Sequence, residues 1–298
     1  MDNRKYLTDL ISKFISQVAI SLPDDVYKAL SDLKNKENTP LANELYKCVF
    51  DNLELARELK KPICQDTGAI QFFIKAGTKF PYLDELEEVL RDAVLIATEN
   101  TPLRHNIVET FTEKNTGNNI GKRYPWIEWE LIPGSDSIYF DMYFAGGGSS
   151  LPGRSMVLMP SEGHQGIVKY VFDTITERGI NACPPLIVGV GIGTCAPTAA
   201  ILSKKALLRP VGTSNTDPNA AHLERIIKDG LNNIGMGPLG FKGKNCVMAV
   251  NVEYSDHHPA TLGVGVSVGC WATRRGSITV NGDLSYEVHS HSEAATHE

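Results

Sequence analysis

The 298-residue chain carries 29 lysines and arginines against 35 aspartates and glutamates, a formal net charge of −6. Apolar side chains make up 42% and the 26 glycines bring the globular share to roughly half, which excludes a disordered, collagen-like or coiled-coil chain. The mild acidity, without any basic block, argues against a nucleic-acid or anionic-membrane partner, and the length suits one large domain or two small ones.

Leu7, Leu10, Ile11, Phe14, Ile15 and Val18 recur at three- and four-residue steps, so residues 5–20 are expected to form a surface helix. Two more helices are expected over about 24–36 and 41–60, which makes residues 1–60 a helical N-terminal cap. The first residues lack the apolar core of a signal peptide. No stretch approaches the roughly 18 consecutive apolar residues of a membrane span, and a cytoplasmic location is expected.

Lys61 to Gly68 reads as a turn, followed by a strand through Gln71–Ile74 and a helix over 84–99. Ile127, Trp129 and Leu131 alternate with Glu128 and Glu130; Ile138, Phe140, Met142 and Phe144 alternate with Tyr139, Asp141 and Tyr143. Pro133-Gly134-Ser135-Asp136 between them predicts an antiparallel hairpin. It leads into a glycine loop, Gly146-Gly147-Gly148, and a helix over 164–177. Pro185 to Gly193 is a continuous apolar run, as in a strand buried on both faces. A helix over 196–207, another over 219–234 and strands over 245–252 and 264–268 follow. Ser277–Val280 and Leu284–Val288 flank Asn281-Gly282-Asp283, a hairpin signal. The expected fold is α/β, with mixed sheets surrounded by helices. Residues 61–290 form its main domain and 291–298 a polar tail; the stretch from His289 to Glu293 is expected to be loose.

Gly189, Gly191 and Gly193 lie between a buried strand and a helix, but G-x-G-x-G lacks the third glycine of a dinucleotide fingerprint. No P-loop pattern occurs. Tight strand–helix packing accounts for these glycines better than a phosphate site does. The six cysteines, at 48, 64, 183, 195, 246 and 270, contain no close pair of the kind structural zinc sites use. An iron–sulfur cluster with dispersed thiolate ligands is less constrained by local spacing. Cys48 in a helix and Cys246 in a strand read as packing residues. Cys195 starts a helix, where a thiol pKa can fall. Cys64 heads a polar turn, Cys183 sits before two prolines, and Cys270 closes a strand before Trp271. These last three contexts look unlike core packing.

Cys64-Gln65-Asp66-Thr67-Gly68, Pro102-Leu103-Arg104-His105-Asn106, Ala145-Gly146-Gly147-Gly148, Asn181-Ala182-Cys183-Pro184-Pro185, His258-Pro259 and Gly269-Cys270-Trp271 occur in this order. Together they resemble the class I fumarase and tartrate dehydratase family. Leu151–Ser155, Met159–Gly163 and Gly269–Ala272 are similar, more narrowly, to the larger subunits of tartrate dehydratases. The resemblance implies a fold of the class I fumarase N-terminal-domain type and an oxygen-sensitive [4Fe–4S] hydro-lyase activity.

In that family three cysteines hold three irons, and the matching positions are Cys64, Cys183 and Cys270. The fourth iron faces substrate and acts as a Lewis acid. Elimination of water from tartrate gives an enol that tautomerises to oxaloacetate; from malate it gives fumarate. The resemblance implies that Asp66 and His258 act at the reacting centre and that Gln65, Arg104 and Gly147 bind a small dicarboxylate. A guanidinium fork suits a carboxylate. Each has a plainer alternative: Asp66 as an Asx-turn, Arg104 in a surface ion pair, the glycines and His258 as structural residues. Single-chain members carry a further C-terminal domain that completes the site. A separate β subunit is therefore expected to supply the missing groups, the catalytic base among them, in an α2β2 assembly. The alternatives are a two-subunit fumarase and a non-catalytic metal-binding or assembly subunit.

Overall fold

The structure, a computed structural model, describes residues 2–292, so the predicted polar tail lies outside them from residue 293 onward. Among these residues the architecture is α/β with two mixed sheets. Backbone contacts divide the chain into two units. The first is built from the stretches up to Asp24, from Asp51 to Gly146 and from Arg274 on; the second from Asp25–Phe50 and Gly147–Thr273.

The first unit is a five-stranded sheet with helices on its apolar face. Its helices are α1 (Asn3–Ile20) and α4 (Leu86–Asn100), and its strands β1 (Ala69–Gly77), β2 (Trp126–Ile132), β3 (Ile138–Ala145), β8 (Arg275–Val280) and β9 (Tyr286–Val288). The order is β2-β1-β3-β8-β9. Strand alternation sorts the side chains: Ile70, Phe72, Ile74 and Ala76 of β1 join Ile138, Phe140, Met142 and Phe144 of β3 in the core. Helix α1 presents Leu7, Ile11, Phe14, Ile15 and Val18 to that core, the face its periodicity predicted. Asp2 caps it, accepting from the N–H groups of Arg4 and Lys5.

The opposite face of this sheet is polar. Tyr139 donates to Asp141 Oδ1 at 3.1 Å, and Asp141 stands in register with Ser277. Burial pushes the Asp141 carboxyl up to about 6, against the stabilising effect of the Tyr139 hydroxyl and the charges of Arg275, Lys75 and His289.

The predicted hairpin between β2 and β3 does not form. Strand β1 lies between them, parallel to β2 and antiparallel to β3. The turn residues bridge over its end instead: Lys79 donates to Ser135 O at 2.8 Å, and Gly77 to Ser137 O at 2.9 Å. A Cβ on Gly77 would stand 2.4 Å from Ser135 O, so only glycine admits this crossing. The later hairpin, β8–β9, does form, with Ile278 opposite Val288. Leu284 belongs to its turn, with φ of 68°, and not to the strand. The stretch expected to be loose is held through residue 292: His289 donates to Ser277 O, and Ser292 N–H to Asp24 Oδ2. His291 is buried, and its side chain bonds Ser290 Oγ at 2.7 Å. Short-range polarity gave no hint of these long-range partners.

The second unit contains α2 (Asp24–Lys36) from its second residue, the first part of α3 (Pro40–Glu58), α5 (Gly147–Ser150), α6 (Gly163–Arg178), α7 (Ala196–Ala206) and α8 (Pro218–Asn232). Its strands are β4 (Arg154–Leu158), β5 (Leu186–Gly193), β6 (Val247–Tyr254) and β7 (Leu262–Gly269), in the order β4-β7-β5-β6. The apolar run of β5 is central and buried, as its composition required. Val188 and Val190 join Val264, Val266 and Val268 of β7 and the buried residues of α6 and α8 in one core. The glycines occupy the other face. Cβ atoms on Gly189, Gly191 and Gly265 would meet Ser203 O, Ala199 O and again Ala199 O at 2.1, 2.0 and 2.4 Å. Helix α7 lies directly on this glycine stripe, so close packing explains G-x-G-x-G.

Candidate active site

In the first unit the Cys64–Gly68 turn is fastened at both ends. Ile63, buried, donates its N–H to Ala19 O at 3.1 Å and accepts at its carbonyl from Asn52 Nδ2 at 2.9 Å. At the other end Gly68 takes a φ of +82°, and a Cβ there would stand about 3 Å from the Phe144–Ala145 backbone. Between these anchors Cys64 is half-buried, Gln65 exposed and Asp66 half-buried. Asp66 Oδ1 accepts from Gly68 N–H at 3.0 Å, the Asx-turn geometry, and from Asn106 Nδ2 at 3.2 Å.

The stretch bearing Arg104 is tied to the same turn. Asn106 Nδ2 also lies 3.3 Å from both Thr67 Oγ1 and Gly68 O. The Arg104 carbonyl accepts from Thr67 Oγ1 at 3.4 Å and from Asn119 Nδ2 at 3.1 Å, while Asn119 Oδ1 takes the Asn106 N–H at 2.8 Å. Leu103 is buried beneath, and Arg104 itself is exposed. The Arg104 peptide is therefore held to the turn that carries Asp66, while its side chain is exposed. Arg274, a buried side chain whose guanidinium lies 5.6 Å from the Phe144 ring, donates to the Asp66 carbonyl at 2.8 Å.

In the second unit Cys183 and Cys270 meet at one end of the sheet. Cys183 is exposed and takes a left-handed conformation, φ 53° and ψ 77°, ahead of a cis Pro184–Pro185 bond. Its carbonyl accepts the Trp271 N–H at 3.1 Å, and Pro184 O accepts the Leu239 N–H at 2.8 Å. Cys270 is half-buried, and its carbonyl takes both the N–H and the hydroxyl of Thr273, at 3.1 and 2.6 Å. The pairing of Ile187 with Gly269 puts the two cysteine loops at the same sheet end. Gly147 opens the short helix α5, and a Cβ on Gly148 would stand 2.9 Å from Asn181 O, so α5 packs against the turn leading to Cys183.

His258 lies elsewhere in this unit. It is exposed in the loop from β6 to β7, where its Nδ1 accepts the Ala260 N–H at 3.1 Å. That loop adjoins the β5–α7 turn, through Thr261 Oγ1 and the Thr194 carbonyl at 3.0 Å. The β5–β7 register runs from Ile187–Gly269 to Gly193–Gly263, so roughly 20 Å of strand separates this end from the Cys183–Cys270 end.

The remaining cysteines differ in kind. Cys246 is buried, donates to Leu231 O at 3.2 Å, and has its thiol pushed up by burial. Cys48 is helical, as expected, but exposed, so it is not a packing residue. Cys195 precedes α7 half-exposed; its sulfur lies 3.1 Å from Thr198 Oγ1, and that hydrogen bond lowers its pKa. Among the described residues no three His, Cys, Asp or Glu side chains are grouped to hold a metal ion.

Three residues that position the turn escaped the sequence reading: Asn106, Asn119 and Arg274. Asn106 lies in the Pro102–Asn106 motif, yet only its three side-chain contacts reveal its role. Asn119 takes a φ of +58°, a conformation asparagine tolerates better than most residues.

Comparison with known proteins accords with these motifs. The profile of the Fumerase family, described as fumarate hydratase, matches residues 8–279. The L(+)-tartrate dehydratase subunit alpha of Escherichia coli K12 is 49% identical over 289 residues, 97% of this chain and 95% of that protein. Its namesake in Shigella sonnei has the same identity and coverage. A Methanocaldococcus jannaschii protein bearing that name provisionally is 35% identical over 90% of this chain and 95% of its own length. No described helix is long and apolar enough to cross a membrane. With most of its length matched by the family profile and by these relatives, the chain belongs to the Fumerase family of hydro-lyases.

Proposed function

We propose that this chain is the α subunit of an iron–sulfur L(+)-tartrate dehydratase, which removes water from tartrate to give oxaloacetate. The observation that carries the substrate assignment is the 49% identity, across nearly the whole chain, to proteins named for that activity and subunit. Their name, a subunit alpha, also supports a β partner; the proposal places the two in an α2β2 assembly, in the cytoplasm, that completes the site. Residues 61–290 would form the catalytic portion.

The donor chemistry fits a [4Fe–4S] cluster held by Cys64, Cys183 and Cys270. None of the three is in a disulfide, Cys183 is exposed and Cys64 and Cys270 are half-buried, and soft thiolates are the ligands such clusters take. When bound, the cluster supplies a Lewis-acidic iron for the leaving hydroxyl. The chain's own groups do the rest. Arg104 binds a substrate carboxylate as a bidentate fork. Asp66, oriented by Gly68 N–H and Asn106, handles a proton or water at its carboxylate. Gln65 and the Gly147 backbone orient the dicarboxylate. His258 enters the proposal as a residue to be tested by His258→Asn, given its place at the far end of the second sheet.

The test is anaerobic coexpression with the β subunit, followed by iron and sulfide analysis and kinetics on L-tartrate and malate. Expected are about four irons per chain, lost in Cys183→Ser and kept in Cys195→Ser, and faster turnover of tartrate. Stoichiometric zinc overturns the cluster. A ten-fold preference for malate favours the second reading, a two-subunit fumarase, which the family description supports.

A further inference from the structure

The strand β2 is the edge of the five-stranded sheet and pairs on its inner side with β1. Edge strands in soluble proteins are usually short, charged or covered. This one runs seven residues and exposes Trp126 (47%), Trp129 (40%) and Leu131 (62%). Alternation places Trp126, Glu128 and Glu130 on one face and Ile127, Trp129 and Leu131 on the other. Phe73 of β1 stands in register with Glu128, and Lys75 with Glu130.

A second copy of the same strand is a poor occupant. Antiparallel two-fold pairing centred on Trp129 sets Glu128 opposite Glu130 twice. Centring it on Glu128 or Glu130 sets a glutamate opposite its own copy, and like charges directly opposite are destabilising. Two-residue shifts run the pairing onto Pro125 or Pro133, which have no N–H to donate. The edge thus rejects itself while leaving apolar rings uncovered. An occupant of opposite charge meets neither obstacle.

We infer that β2 docks an extended strand of the companion subunit, one with lysine or arginine two positions apart opposite Glu128 and Glu130. The rest of that strand covers Trp129 and Leu131. Backbone pairing supplies the affinity and the two glutamates set the register. This inference rests on the two-subunit reading given above.

The experiment is amide hydrogen exchange on the full chain, alone and coexpressed with the β subunit, together with assembly of Glu128→Lys/Glu130→Lys. The expected result is at least ten-fold slower exchange of the outward-facing amides in residues 126–132 within the complex. The double variant should assemble at least ten-fold more weakly, a loss larger than the drop in the isolated chain's urea midpoint that a lysine set against Lys75 brings. A complex in which β2 exchange is unchanged overturns the inference and leaves the two-subunit reading standing. So does a double variant that assembles like the parent. Protection that grows with the concentration of the chain alone overturns it in favour of self-association. Failure of the parent to form any complex removes the two-subunit reading and this inference with it. If the double variant does not fold, exchange in the parent complex decides.

Discussion

Asn106 donates its side-chain amide to Asp66 Oδ1 at 3.2 Å, and the same nitrogen lies 3.3 Å from the Thr67 hydroxyl and the Gly68 carbonyl. One amide thus locks the carboxylate and the turn that presents it. Asn106→Asp removes the donor and sets a second carboxylate against Asp66. The expected loss is about 1–3 kcal/mol of stability, together with a larger fall in kcat than in Asn106→Ala. Urea unfolding and steady-state kinetics on the assembled enzyme measure both. Equal effects of the two substitutions would mean that the amide only fills space.

The crossing of β1 beneath the β2–β3 connection makes a separate demand. Gly77→Ala would place a methyl 2.4 Å from one carbonyl oxygen and 2.5 Å from another, with backbone on every side. A loss of about 2–3 kcal/mol is expected from such overpacking. Gly134→Ala, in the same connection at φ +79° but with open space around it, should cost about 1 kcal/mol through conformation alone. Comparing the two urea midpoints separates the causes.

Asp141 gives the first sheet a pH dependence of known sign. Its folded pKa, about 6, lies above the ordinary 3.8, so between these values the folded chain holds a proton that the unfolded chain has released. Stability from this group is full below pH 3.8 and declines as pH rises through 6, by about 3 kcal/mol in all. Asp141→Asn should remove that decline. The difference in unfolding free energy between parent and variant, followed from pH 4 to 7, should shrink or reverse steadily; a flat difference would contradict the buried acid.

Cys195 owes its lowered pKa chiefly to Thr198. Thr198→Val should therefore slow alkylation of this thiol at neutral pH, since the thiolate is the nucleophile. Mass-spectrometric rates for Cys195, with exposed Cys48 as the internal reference, test it; an unchanged ratio would assign the shift elsewhere.

Much of the architecture was legible because local patterns carry it. The 3.6-residue periodicity of Leu7 to Val18 and the apolar run before Gly193 each have one low-energy burial, so α1 and β5 stand where expected. Gly189 and Gly191 let helix α7 lie against β5, which accounts for glycines that no nucleotide fingerprint accompanies. Strand partners were less legible. Pro133-Gly134 looks like a hairpin turn, yet a turn specifies only a reversal of direction, and β1 could enter between the two strands because Gly77 clears the connection.

By itself, then, the sequence determined composition class and most helices and strands, and its resemblance to a hydro-lyase family singled out Cys64, Asp66, Arg104, Cys183 and Cys270 as the site residues to test. Tertiary structure alone decided which strands are neighbours, that Asn106 and Arg274 hold the Asp66 turn, and that Cys183 and Cys270 share a sheet end remote from His258. Periodicity and motifs are local properties of the chain. The partners of Asp66 lie 40 and 208 residues away, and only closure of the sheet brings such groups within hydrogen-bond range.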